Sequence, residues 1–90
     1  MNIRIPDGQS NPRKVKHKDT VSFEFDEDQS NFSVSGGEAF TPPLPSGGFV
    51  AGNKIGPYQA GPVNSTVTFS YEETREDELS VTTHTILIGD

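Results

Sequence analysis

Residues 20–26 alternate without a break. Val21, Phe23 and Phe25 fall on one side, and Ser22, Glu24 and Asp26 on the other. A period of two is the signature of a β-strand with one face buried and one face wet. The same pattern returns at Ile3 and Ile5, at Phe32 and Val34, and at Val67, Phe69 and Tyr71 against Thr66, Thr68, Ser70 and Glu72. No segment shows an 11-residue helical period, and the chain has no internal repeat. These short strands, at spacings of about 8–12 residues with turn signals between them, predict a β-sandwich of six to eight strands.

Ninety residues predict one domain, residues 1–90, with a single modest core. Hydrophobic residues are only 30% of the chain, so the six Phe and two Tyr must supply much of the buried area. The expected core is Ile3, Ile5, Val15, Val21, Phe23, Phe25, Phe32, Val34, Phe49, Val67, Phe69, Tyr71, Val81, Ile86 and Ile88.

Residues 36–62 hold most of the nine Gly and seven Pro. A stretch this long without periodicity reads as an ordered loop with one or two short strands, near residues 48–51 and 54–58. Phe40, Leu44, Phe49 and Tyr58 lie within it. They are the expected partner-binding residues, because loops on a rigid sandwich commonly carry recognition. The competing reading is that the four complete the core. Pro6-Asp7-Gly8 predicts a turn. Residues 74–78 read as an acidic connection, or as one helical turn.

A net charge of −6 argues against a nucleic-acid partner, which needs clustered Lys and Arg. The one basic cluster, Arg13-Lys14-Val15-Lys16-His17-Lys18, alternates along an expected strand and reads as a guarded edge. No apolar run approaches a membrane span, and no apolar segment of the export kind follows Met1. The chain has no Cys, so disulfides, thiolate metal sites and Cys nucleophiles are excluded. That composition suits several compartments equally and identifies none of them.

Catalytic signatures are missing. No Gly-x-Ser-x-Gly elbow occurs, and Gly36-Gly37 and Gly47-Gly48 lack the Lys-Ser or Lys-Thr of a phosphate loop. The acidic segments Asp26-Glu27-Asp28 and Glu72-Glu73 with Glu76-Asp77-Glu78 lack the EF-hand pattern. His17 and His84 are the two imidazoles, and a metal pair would require their strands to be neighbours. No catalytic residue, metal ligand or cofactor is therefore assigned.

The run Val15-Lys-His-Lys-Asp19-Thr20-Val21-Ser22-Phe23, then Asn31-Phe32-Ser33-Val34, then Phe69-Ser70-Tyr71-Glu72-Glu73 and residues 85–88, resembles the cupredoxin-like sandwich. Lys18 stands where that family usually has Gly, and Asn31 where its first copper His would fall. The resemblance implies a small Greek-key β-sandwich, cupredoxin-like rather than immunoglobulin-like, with its N-terminal strand paired in parallel with a later one. It implies the scaffold and not the copper chemistry, since blue copper needs a Cys thiolate and two His. The expected function is a non-catalytic binding or structural module with a protein or glycan partner. The alternative is a carrier or sensor of non-blue copper or zinc.

Overall fold

The computed structural model describes residues 1–7 and 12–90. It is an all-β sandwich. Nine strands are described: β1 (Asn2–Ile5), β2 (Arg13–Lys16), β3 (Thr20–Phe25), β4 (Gln29–Ser35), β5 (Phe40–Thr41), β6 (Gly47–Phe49), β7 (Lys54–Ala60), β8 (Thr66–Arg75) and β9 (Glu78–Gly89). One sheet has the order β1-β3-β7-β5, and the other β2-β9-β8-β4-β6. Strands β6 and β7 fall at the two short strands expected within the Gly/Pro segment, and β5 brings the number above the expected six to eight. Its two residues are too few to show a period.

The N-terminal strand β1 pairs in parallel with β3, and β2 pairs in parallel with β9. The other ladders are antiparallel. Between β2 and β3 the chain turns at Lys18, which takes a left-handed backbone (φ 73). The turn expected at Pro6-Asp7-Gly8 runs into residues outside the described set.

Alternation places the core. Val21, Phe23 and Phe25 of β3 face Phe32 of β4 and Phe69 of β8 across the gap between the sheets. Phe32 lies 5.6 Å from Phe23 and 5.2 Å from Phe25, both edge-to-face, the arrangement that ring quadrupoles favour. Ile3, Ile5, Val15, Val67, Ile86 and Ile88 fill the flanks. The expected core is thus largely the observed one, with one clear correction. Val81 is 70% exposed. On β9 the inward residues are His84, Ile86 and Ile88, and a strict period of two then turns every odd-numbered neighbour outward.

The β3–β7 ladder carries an irregularity at Ser22, opposite Gly56. Gly56 has φ 118, and a side chain there would stand 2.9 Å from the Ser22 backbone. Only Gly permits this approach. Gln29 solves a different problem. Its buried amide donates to the Glu72 carbonyl at 3.0 Å and accepts from the Glu72 N–H at 3.0 Å. The side chain thereby acts as one more peptide unit in the β4–β8 ladder.

Replacing Phe32 by Ala removes the ring that touches both sheets. The expected loss is about 3–5 kcal/mol in urea unfolding, against a smaller loss for Phe49→Ala at its half-buried site. Equal losses would mean that the two rings share the load evenly.

Candidate functional site

The expected recognition loop packs inward. Phe40, Leu44 and Tyr58 are buried, and Phe49 is half-buried with its ring stacked on Phe25 at 4.5 Å. These four side chains complete the core, which was the competing reading of them. The exposed residues of the same segment include Pro42, Pro43 and Val50.

The chemistry-bearing side chains converge elsewhere, under the β8–β9 hairpin. The two strands pair continuously from Thr66↔Leu87 to Arg75↔Glu78. Their turn is Glu76-Asp77, both left-handed (φ 49 and 66), as in a two-residue loop that suits strand twist. The expected acidic connection over residues 74–78 is therefore mostly strand, and no helical turn forms. The sequence lacks Asn-Gly or Asp-Gly here, so the tight turn carries no familiar signal.

Inward positions change character along this hairpin. At one end they are Val67, Phe69, Ile86 and Ile88, and towards the tip they become Tyr71, Glu73, Ser80, Thr82 and His84. The polar residues, with Asp7, line a cleft of about 290 Å³. Beside it Arg13 grips Asp7 with two bonds, Nε to Oδ2 at 2.9 Å and Nη2 to Oδ1 at 2.6 Å, and both side chains are buried. The Asp7 N–H donates to the Tyr71 hydroxyl at 2.9 Å, and the Asp7 carbonyl lies 3.1 Å from it.

His84 stacks on Tyr71 (5.6 Å, 7° between planes) and on Phe69. Its Nε2 is 3.1 Å from the Tyr71 hydroxyl, while its Nδ1 is buried with no partner among the described residues. If the Tyr71 proton goes to the Asp7 carbonyl, His84 Nε2–H donates to Tyr71 and Nδ1 is a bare acceptor. If it goes to His84, Nδ1–H is an orphan donor. Burial raises the Tyr71 pKa above its ordinary 10.0, against the lowering effect of the Asp7 backbone bond, and burial raises that of Tyr58 as well.

The outward side of the hairpin differs. Leu79 and Val81 are 65% and 70% exposed, and Thr83 is exposed beside them. Strand β2 covers the free side of β9 only at Ile86, Leu87, Ile88 and Gly89. The Gly89 carbonyl faces β2, accepting from His17 N–H, whereas Ile88 N–H faces β8 and donates to Ser65. By alternation, the N–H and C=O of Leu79, Val81 and Thr83 point away from β8. Among the described residues no strand covers them.

A groove of about 600 Å³ lies at the other end of β9, among Lys14, Lys16, residues 64–66 and Leu87. It gathers lysine stems and backbone, without the converging groups that the hairpin cleft has. His17 is exposed, its Nδ1 against the Gly61 carbonyl. Its backbone meets Gly89, five residues or roughly 16 Å along β9 from His84, and its ring lies against Gly61 while that of His84 is buried against Tyr71, so the two do not form a pair. Among the described residues no three His, Asp or Glu side chains are grouped to hold a metal ion. Among the described residues no helix is long and apolar enough to cross a membrane. No family model, no curated protein and no solved structure matches the chain.

Two outcomes follow from this geometry. Arg13→Leu leaves the Asp7 carboxylate buried without its guanidinium, and should lower stability by about 3–5 kcal/mol in chemical unfolding at neutral pH. Both tyrosines should titrate above 10.0 by ultraviolet absorbance. Their raised folded values favour the neutral phenol. That contribution is fully present below the ordinary value and is lost as pH rises through the folded ones. Ordinary titration of Tyr71 in the folded protein would show that the cleft is wet.

Proposed function

We propose that the chain is a non-catalytic binding module on a cupredoxin-like scaffold, and that it takes an extended protein segment along the open edge of β9. The observation that carries this reading is the outward backbone of Leu79, Val81 and Thr83, flanked by two exposed apolar side chains. An unpaired strand edge is a template for another strand. Main-chain bonds then supply affinity, and alternate side chains supply specificity.

A protein partner suits this surface better than a glycan does. Among the described residues the exposed large hydrophobics are Met1, Val50, Val63, Leu79 and Val81, with no aromatic platform among them. The parallel β1–β3 and β2–β9 pairings support the cupredoxin-like scaffold over the immunoglobulin-like one. Lys18 supports it too, since its left-handed backbone is the conformation for which the family's Gly is suited. Glu73, the last residue of the Phe69–Glu73 run that resembles that family, lies buried beside Tyr71 and His84. The cluster around it is closed on itself by the Asp7–Arg13 pair and the Tyr71 bonds, which favours a structural role over a catalytic one.

The test is a selection of random heptapeptides displayed on phage, with the Val81→Pro variant as counter-target. Proline removes an N–H that points away from β8, which an edge strand tolerates. Peptides rich in β-branched residues should bind the natural chain and lose the variant. Peptides that bind both equally would place the working surface elsewhere.

A further inference from the structure

The remaining question is what sits on this edge. Of the sheet edges in the sandwich, two carry the usual guards. Strand β2 exposes Lys14 and Lys16, and β1 exposes Arg4. Charged side chains of this kind keep edges from pairing. Residues 79–83 of β9, Leu-Ser-Val-Thr-Thr, have no charge and no Pro. Such a segment beside exposed Leu79 and Val81 is unguarded, unlike β2 farther along the same side of β9.

We infer that the occupant is a second copy of this chain, joined by antiparallel pairing of the two β9 strands about a twofold axis at Val81. The inference rests on the reading of this edge as the binding surface. Self-complementarity carries it. With Val81 opposite Val81 of the second copy, Leu79 falls opposite Thr83, and Thr83 opposite Leu79. Every outward N–H and C=O of the segment then meets its counterpart. The outer face gains a Val–Val contact flanked by two Leu–Thr contacts, of the kind that stabilise paired strands. Residues 79–83 bring no like charges face to face.

Charge complementarity fixes the same register from farther out. Counting on from Val81, Asp77 of one copy comes level with Thr85 of the other, and the turn leaves the edge before Ile86. Ile86 is where Arg13 begins β2, with exposed Lys14 next along that strand. The acidic turn Glu76-Asp77 of each hairpin therefore arrives beside the basic strand of its partner. A net charge of −6 per chain disfavours random encounter of two copies. The arrangement places the acidic turn against the densest basic run in the sequence, so the local attraction opposes that general repulsion.

Sedimentation across a wide concentration series tests this on the whole chain. The natural protein should show a concentration-dependent dimer. Val81→Pro should weaken it about tenfold or more, as loss of central main-chain bonds requires. Val81→Lys, a guard of the type found on β2, should do the same if proline disturbs the hairpin. Far-UV circular dichroism checks that both variants remain folded. Lys14→Glu should also weaken the dimer, and adding Glu76→Lys should restore it.

A protein that stays monomeric throughout overturns the second copy as occupant. If a displayed peptide still binds it in a Val81→Pro-sensitive manner, the edge remains a binding surface with a foreign strand upon it. A dimer that persists in both Val81 variants overturns the inference and places the contact elsewhere. A dimer sensitive to Val81 but indifferent to Lys14→Glu overturns the register proposed here.

Discussion

The aromatic contact around Phe32 is the interaction on which the rest of the sandwich depends. Phe32 comes from one sheet, and touches Phe23 and Phe25 of the other together with Phe49 and Phe69. A chain with 30% hydrophobic residues cannot bury a broad aliphatic layer. Burying rings instead removes a large area from water per residue. The rings also fix the distance and angle between the sheets, because edge-to-face pairs tolerate little sliding. Every strand that reaches this cluster is held in register by it, and the Gly/Pro segment is recruited through Phe40, Leu44, Phe49 and Tyr58.

Beyond the rings the hairpin continues with polar residues on its inner side, where little apolar material remains to bury. The Asp7–Arg13 pair, Tyr71 and His84 close this end. Ion pairs of this sort are weak sources of net stability, because desolvation offsets much of the attraction. Their value lies in direction. Asp7 can satisfy Arg13 and Tyr71 together only in one arrangement, which ties the segment after β1 to the middle of β8. The result is a rigid stem with a chemically different outer edge.

Much of the fold was legible because alternation is a local signal. Residues 20–26 and 66–72 state their inward faces outright, and the observed sandwich follows them. What could not be read lies where that signal is mixed or too short. Strand β9 has apolar residues of both parities, Leu79, Val81 and Leu87 against Ile86 and Ile88. The choice between the sets is made by the core at Ile86 and Ile88, which is tertiary information. Val81 was therefore expected inside and stands outside. The same mixed parity hid the open edge, since an edge is a property of sheet order. Asp7 and Arg13 were likewise invisible as partners, because their link depends on where the chain returns after residue 7. Phe40, Leu44 and Tyr58 gave an ambiguous signal, for apolar residues in a Gly/Pro loop suit a core and a binding surface alike.

The parallel pairing of β2 with β9 has a mechanical side. These strands lie near opposite ends of the chain and run in the same direction. Tension applied through the two ends would pull β2 one way and β9 the other, along their common axis. The hydrogen bonds between them then lie across the load and share it, so they must fail together and not one after another. The β1–β3 pairing has the same parallel sense. A strand pair loaded in this way resists extension far better than a hairpin peeled open from its end.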